Sequence, residues 1–167
     1  VGLALCGLWL PWVGASGQGR RPAMIATAAD IAKSILWGFQ SKGSPINNLK
    51  LQKLLYYSQA FHLSIYDAPI FGERIEAWVH GPVVPPVYGE YKSFRWSPIA
   101  ISGPVTLAEN HSAHVDSVLA AYGDFTAWEL ERLTHSEDPW KQARAGIPPD
   151  QSSTAPITHQ SMKDYYR

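Results

Sequence analysis

The apolar side chains of this sequence follow a helical period in several separate stretches. In residues 28–39 they recur at spacings of three and four, which is the pattern of one buried helix face. Thr27 or Asp30 can cap this first helix, because an oxygen-bearing side chain there accepts hydrogen bonds from the free amides of the first turn. Gly43-Ser44-Pro45 is then expected to end it.

The second helical stretch carries the widest apolar face and is expected to form the centre of the core. Asn47 or Asn48 can cap it, and the pattern continues for about 18 residues. Lys50 and Lys53 interrupt the apolar run, and the period predicts that both point to solvent. The adjacent pair Tyr56-Tyr57 is expected to lie in the core or at its edge.

Short extended segments follow the second helix. Residues 70–71 and 75–79 lie on either side of Gly72-Glu73-Arg74, and their alternation predicts a small β-hairpin that packs against the helices and ends at Gly81-Pro82. Pro85-Pro86 fits the first turn of a third helix that continues through Tyr91. We therefore interpret the two prolines as a rigid corner and not as a proline-rich ligand.

Further helices are predicted in the second half of the chain. Residues 93–107, rich in Pro, Ser and Gly, are expected to form a surface loop with a short strand or two, before a fourth helix begins near Glu109 or Ser112. Thr126 and Glu129 have the spacing of a capping box, and Asp138-Pro139 opens one more turn. A polar linker at residues 146–156 precedes a last short helix over residues 158–166. The pattern as a whole predicts a mainly α (α+β) fold, a single-domain bundle of about five to six helices with a small β-hairpin packed against it.

Composition agrees with one globular domain and argues against several functions. Of the 167 residues, 46% are hydrophobic and 12% aromatic, while 17% are charged, below the roughly 25% usual in soluble proteins, which leaves apolar surface for a partner. Lys plus Arg and Asp plus Glu both number 14, so there is no broad basic field of the kind that nucleic acid binding needs. The single cysteine excludes a disulfide framework, and a cytoplasmic location is expected.

Residues 1–23 form an apolar tract followed by Gly, Ser and two arginines. A secretory signal would carry its basic residues before the apolar run, whereas Arg20 and Arg21 follow it. A membrane span would need about 20 apolar residues, and Pro11 interrupts the run. A lipid-attachment box at Leu3-Ala4-Leu5-Cys6 lacks a charged lead and a small residue before the cysteine. We expect an upstream extension or a disordered tail, with Met24 as the start of a domain over residues 24–167 and with no membrane partner.

Candidate catalytic and metal-binding groups are few. His111 and His114 have the spacing that places two rings on one helix face, yet no carboxylate motif accompanies them, and a solvated pair is expected. The sequence contains no His-Glu-x-x-His zinc motif, no Gly-x-Ser-x-Gly elbow and no phosphate-binding glycine loop. We therefore expect no cofactor, no metal and no catalytic residue.

Three blocks of the sequence together resemble one known family. They are LKLQKLLYYSQAFHL at residues 49–63, IFGERIEAWVHGPVVPPVYGEYK at residues 70–92 and ELERLTHSEDPW at residues 129–140. In this order they resemble the Panacea domain, the SocA-like antitoxin domain also found in phage-associated proteins. The resemblance implies an antitoxin of a type II-like toxin–antitoxin system, which binds a cognate toxin encoded by an adjacent gene. It also implies a further role for some members as proteolytic adaptors to a cytosolic ATP-dependent protease.

Within the resembling blocks, the residues around the Gly81-Pro82 turn are the candidates for partner binding. In one reading, His80 satisfies backbone groups at this turn and His135 caps the end of its helix as an imidazolium. In another, both rings line a groove with Trp78 and Trp140, because aromatic and histidine side chains combine large contact area with a polar end. The hypothetical partner-binding set is Trp78, His80, Pro82, Val84, Pro85, Tyr88, His135 and Trp140.

Three rivals to a toxin-binding antitoxin remain. A phage or prophage host-interaction protein would also act by binding. An enzyme would use His80 and His135 as acid and base, with Glu76 or Asp138. A DNA-binding autorepressor is disfavoured, because the sequence has no separate helix-turn-helix or basic module.

Overall fold

The computed structural model describes residues 25–167 and contains seven α-helices within that range. The predictions made for residues 1–23 lie outside the described residues. The helices are α1 (Ala28–Gln40), α2 (Asn48–Tyr66), α3 (Pro85–Tyr91), α4 (Glu109–Tyr122), α5 (Ala127–Ser136), α6 (Asp138–Ala143) and α7 (His159–Tyr166), and the strands are β1 (Ile75–Trp78), β2 (Gly81–Val83) and β3 (Pro156–Ile157). The predicted mainly α fold with a small β element is confirmed. The helix count is seven because the two short C-terminal segments each form a helix of their own.

Helix α2 forms the centre of the core, as its pattern predicts. Every residue from 51 to 60 is buried, because α1, α4, α5 and α7 all pack around this helix. Tyr56 and Tyr57 are fully buried, and burial of each large apolar side chain contributes about 1.5–3 kcal/mol to folding. None of the helices within residues 25–167 combines the length and the apolar character that crossing a lipid bilayer requires.

The helix starts follow the local capping rules. Thr27 Oγ1 accepts a hydrogen bond from the backbone amide of Asp30 at 3.1 Å, and the Asp30 carboxylate accepts one from the Thr27 amide at 3.3 Å. Both predicted caps of α1 therefore act together in one capping box. Asn47 caps α2 by accepting from the Lys50 amide at 3.0 Å, and the predicted Thr126 capping box is confirmed at α5.

The predicted hairpin was placed on the wrong pair of segments. Strand β1 pairs antiparallel with β2, Trp78 opposite Gly81, and with β3 on its other side. Phe71 instead forms an isolated bridge with Ala26. The chain reverses directly after β1 because Gly81 has a φ of 95°, which glycine adopts without the steric penalty of a Cβ. Gly81-Pro82 therefore begins a strand and does not end one.

Side chains of α2 cover the outer edge of β2. Lys53 Nζ donates to the Pro82 carbonyl at 3.1 Å, and Gln52 Oε1 accepts from the Val84 amide at 2.9 Å. A proline is tolerated in this strand because it lies at the sheet edge. The edge is consequently closed to strand addition by another chain.

Strand β3 was not predicted, and long-range contacts hold it in place. The Ala77 amide donates to the Ala155 carbonyl at 2.8 Å. The buried guanidinium of Arg144 donates to the Ala77 carbonyl at 2.9 Å and to the carbonyls of Pro148 and Gln151 at 2.8 and 2.7 Å. Arg144 therefore fastens the proline-rich linker to the sheet. A strand of only two residues has no periodicity that a sequence could display.

The loop over residues 93–107 is fixed to α1 and to the start of α2. Gln40 Nε2 donates to the Ile101 carbonyl and Gln40 Oε1 accepts from the Ile101 amide, both at 2.9 Å. The Ile99 amide donates to the Ile46 carbonyl at 2.8 Å. Within this loop the structure places the end of a 3₁₀ turn, Lys92–Phe94, and no strand, so the predicted short strands are not formed.

The prediction of a solvated His111–His114 pair is wrong. The two residues are only 4% and 6% exposed, because their helix face packs across α2. His114 Nε2 lies 2.9 Å from the Ser58 carbonyl oxygen, and its ring centroid is 5.0 Å from that of His62. Burial lowers the pKa values of His62 and His114. No group of three or more His, Cys, Asp or Glu side chains within residues 25–167 could hold a metal ion.

A buried carboxylate joins α7 to the core. Tyr57 donates to Glu137 Oε1 at 3.0 Å and Tyr166 donates to Glu137 Oε2 at 2.6 Å. Tyr56 adds a weaker contact with the Tyr166 hydroxyl at 3.4 Å. Burial raises the pKa of Glu137 to about 7, although the tyrosine hydroxyls act in the opposite direction by stabilising the carboxylate.

Glu137→Gln is expected to remove a loss of stability that the wild type suffers as the pH rises. The folded protein holds this proton at pH values where the unfolded chain, with an ordinary pKa of 4.5, has released it. This difference in proton binding stabilises the folded protein by on the order of 3 kcal/mol. The stabilisation is complete below about pH 4.5 and is lost as the pH rises through about 7. Urea unfolding at several pH values should show wild type losing stability relative to Glu137→Gln across this window.

Asp116→Asn, a matched amide substitution on an exposed site of α4, is the control for this experiment. Its pH profile should run parallel to that of wild type. Parallel profiles for wild type and Glu137→Gln would contradict the raised pKa of Glu137.

Candidate partner-binding groove

A groove of about 690 Å³ opens beside the turn between β1 and β2. It lies between the first turns of α2, the β1–β2 turn, the end of α3 with the following loop, and the residues that precede β3. We call it the partner groove, and its lining residues are Asn48, Leu49, Gln52, Trp78, Val79, His80, Val83, Tyr88, Lys92, Arg95, Trp96, Ser152, Ser153 and Thr154.

Aromatic side chains form one wall of the partner groove. The rings of Trp78 and Tyr88 meet edge to face, with centroids 4.9 Å apart. Trp78 Nε1 donates to Glu76 Oε2 at 2.7 Å, and Arg74 forms an ion pair with the other oxygen of Glu76. The indole is therefore held in one orientation by its own neighbours, and such preorganisation lowers the entropy cost of any binding at this wall.

A pair of exposed tryptophans borders the same groove. Trp96 and Trp128 are 61% and 59% exposed, and their rings stack with centroids 5.9 Å apart. Trp96 follows Arg95, whose backbone has a φ of 53° and a ψ of −115°, a region that residues other than glycine rarely occupy. This unusual backbone turn directs the chain so that Trp96 lies at the groove. Large exposed apolar groups of this kind mark interaction surfaces.

His80 contacts a buried carboxylate and not the backbone groups expected at the turn. Its Nδ1 lies 2.9 Å from Glu131 Oε1. The imidazole side chain is 58% exposed, whereas the Glu131 side chain is 10% exposed. Glu131 thus orients the ring at the groove surface while the ring remains accessible.

His135 and Trp140 lie behind the groove wall and do not line it. Their rings stack with centroids 4.1 Å apart, and Trp140 Nε1 donates to the Trp78 carbonyl at 3.0 Å. Burial lowers the pKa of His135, and its Nε2 is buried without a hydrogen-bond partner in the described residues. The prediction of an imidazolium cap at the end of α5 is therefore wrong. The pair supports β1 from the opposite side.

The prediction that Lys53 points to solvent is also wrong. Lys53 is fully buried beneath the Gly81-Pro82 turn. Loss of hydration lowers its pKa to about 7, and the charge of Glu131 opposes this shift only in part. A Cβ on Gly81 would lie 2.8 Å from Lys53 Nζ and 2.9 Å from Thr134 Oγ1. Glycine is needed here for both its backbone angle and its lack of a side chain.

The eight predicted partner-binding residues divide into two groups. Trp78, His80 and Tyr88 line the groove. The other five do not line the groove. Pro82 and Val84 are buried, Pro85 begins α3, and His135 and Trp140 pack behind β1. Sequence reasoning missed Lys92, Arg95 and Trp96, although aromatic and basic residues next to a loop were a visible signal.

Of the residues named for an enzyme, the two histidines have Glu131 as a common neighbour, whereas the two carboxylates are engaged with other side chains. His80 faces the groove, whereas His135 lies behind its wall. Glu76 is bonded to Trp78 and Arg74, and the exposed Asp138 lies 3.8 Å from Lys141 on its own helix.

Comparison with protein-family models assigns residues 51–141 to the family described as Antitoxin SocA-like, Panacea domain. Because the match covers more than half of the 167 residues, the chain belongs to this family. The matched range contains all eight predicted partner-binding residues. No curated protein and no solved structure matched the chain.

Proposed function

We propose that the protein is an antitoxin that neutralises a toxin protein, encoded by an adjacent gene, by occupying it stoichiometrically through the partner groove. The observation that carries this proposal is the group of accessible aromatic side chains, Trp78, Tyr88 and Trp96, in a member of an antitoxin family. Tryptophan, tyrosine and arginine are the residue types that most often dominate binding energy in protein interfaces. The protein acts without a cofactor and without catalysis.

The size of the groove sets what it contributes to such a complex. Its 690 Å³ lies in the range of roughly 300–1,000 Å³ found for ligand pockets, so it accepts a few side chains of the toxin. A stable complex buries about 800 Å² on each partner. The remaining contact area must come from neighbouring surface, and the exposed Trp128, which stacks on Trp96, is an apolar candidate.

Two extensions of this function are separable from it. A proteolytic adaptor would hold the toxin in the groove and present another face to a cytosolic ATP-dependent protease. A host-interaction protein would use the same groove for a host protein. The toxin's half-life in cells, with and without this chain, distinguishes the adaptor role, because a pure neutraliser leaves the half-life unchanged or lengthens it.

The direct test is growth rescue. The adjacent gene's product should halt growth when expressed alone, and growth should return when this chain is co-expressed. Normal growth with the neighbour alone, or arrest in both cases, would contradict the proposal.

The contact between His80 and Glu131, with His135 as a further neighbour of Glu131, is a feature that favours an enzyme. His80→Gln separates the two functions when binding and protection are measured on the same variant. For a neutraliser we expect protection to fall only as far as affinity for the toxin falls. Loss of protection with unchanged affinity would instead indicate catalysis.

A further inference from the structure

We infer that the partner groove takes an acidic segment of the toxin protein that also carries a large apolar side chain. This inference rests on the proposed function and names the chemistry of the partner's docking segment. It is carried by the distribution of charge around the groove.

The lining of the groove is basic although the described chain is not. Among the lining residues, Lys92 and Arg95 are cations, and there is no aspartate or glutamate. Outside the tract at residues 1–23, which contains Arg20 and Arg21, the chain has fewer basic than acidic residues. The basic lining is therefore a local feature.

The two carboxylates that bond to lining residues of the groove are engaged in these bonds. Glu76 is paired with Arg74 and bonded to the Trp78 indole, and Glu131 contacts His80. Within residues 25–167, neither Lys92 nor Arg95 lies within ion-pair distance of a carboxylate. The two cations are consequently available to carboxylates of a partner, and arginine can bind a carboxylate with two parallel hydrogen bonds.

The apolar lining adds a requirement for a large side chain. Leu49, Val83, Trp78 and Tyr88 present apolar surface next to the two cations. An aromatic or branched aliphatic residue of the partner would bury its surface there, at roughly 25 cal/mol for each Å² removed from water. Flanking acidic residues would then reach Lys92 and Arg95.

Single-stranded nucleic acid also combines negative charge with flat apolar groups, and aromatic platforms bind it. A protein segment is favoured because the groove offers only two permanent cations, whereas nucleic acid sites follow a longer stretch of phosphates. Membership of an antitoxin family also fits a protein partner, the toxin of the proposed function.

The test is charge reversal of the groove. Lys92→Glu with Arg95→Glu should weaken binding of the purified toxin at least ten-fold in calorimetry and should reverse the salt effect contributed by these two positions, so that added salt no longer weakens binding. The matched control is Lys33→Glu with Lys141→Glu, which makes the same change in net charge at positions outside the groove lining. The control should bind within about two-fold of wild type.

The outcomes separate this inference from the function on which it rests. Unchanged binding by the charge-reversed variant, together with weak binding by Trp96→Ala, overturns the acidic segment and leaves the antitoxin function intact. Unchanged binding by both variants overturns the groove as the docking site. If the charge-reversed variant recovers binding when acidic residues of the toxin are changed to lysine, the inference is supported directly.

A second measurement does not depend on the toxin. Fluorescent peptides with a central tryptophan flanked by glutamates should bind the full chain at least ten-fold more tightly than matched peptides flanked by lysines. Equal binding of the two peptides, or tighter binding of a thymidine oligonucleotide than of the glutamate peptide, would overturn the inference.

Discussion

Gly81→Ala is expected to lower the free energy of unfolding by about 3 kcal/mol, a large part of the stability of a domain this size. Two costs combine. The φ of 95° at this position is unfavourable for any residue with a Cβ, at roughly 1–2 kcal/mol. The new methyl would also lie 2.8 Å from Lys53 Cε and Nζ, and overpacking of a core costs about 1–3 kcal/mol. Lys53 cannot move aside cheaply, because it is fully buried and bonded to the Pro82 carbonyl.

Two other glycines separate these costs in the same urea unfolding experiment. Gly43 has a φ of 73° and nothing within 4 Å of where an added Cβ would lie, so Gly43→Ala should cost only the backbone strain. Gly72 has neither a positive φ nor a close neighbour, and Gly72→Ala should be nearly neutral. If Gly81→Ala were no more costly than Gly43→Ala, the close packing of Lys53 under the turn would be contradicted.

Trp96→Ala is expected to weaken binding of the toxin about 30-fold or more while leaving the fold stable. Truncating a central aromatic anchor typically costs 2 kcal/mol or more of binding energy, and 1.4 kcal/mol corresponds to a factor of ten in Kd. The fold should tolerate the change because Trp96 is 61% exposed. Calorimetry with the purified toxin gives the change in Kd, and thermal unfolding of the free protein checks its stability.

Ile65→Ala is the matched control for Trp96→Ala. Ile65 is 62% exposed and lies on α2, about 24 Å along the helix from Leu49 at the groove, at 1.5 Å per residue. It should bind the toxin like wild type. A loss of affinity for Ile65→Ala that equals the loss for Trp96→Ala would show that the toxin does not dock at the groove.

The sequence predicted those features that neighbouring residues determine. Capping by Thr27 with Asp30, by Asn47 and by Thr126 with Glu129 depends on atoms within three positions of each other. The central place of α2 was visible because its apolar face is so wide. The mainly α class follows from these local signals together.

Features that depend on distant parts of the chain were missed. The periodicity of α2 predicted an exposed Lys53, but residues 51–60 of α2 are covered on every side, and Lys53 lies under a turn that comes 28 positions later in the sequence. The same reasoning missed the burial of His111 and His114, which depends on α4 packing against α2. Strand β3 pairs with β1, which lies about 80 positions earlier in the sequence, and no local pattern encodes it.

Motif reasoning selected residues of two kinds for the candidate site. It selected Trp78, His80 and Tyr88, which do line the groove. It also selected His135 and Trp140, which support the wall from behind. Residues that stabilise a site and residues that contact a partner can belong to the same motif, and only their positions in the fold distinguish them.

A titration of purified toxin with this chain tests most directly the claim that the protein acts by occupying another polypeptide. We expect the residual activity of the toxin to fall linearly and to reach zero at a fixed molar ratio, with the same curve after short and long incubation. Inactivation by a small fraction of an equivalent, increasing with time of incubation, would contradict the account, because only a catalyst can act on many toxin molecules in turn.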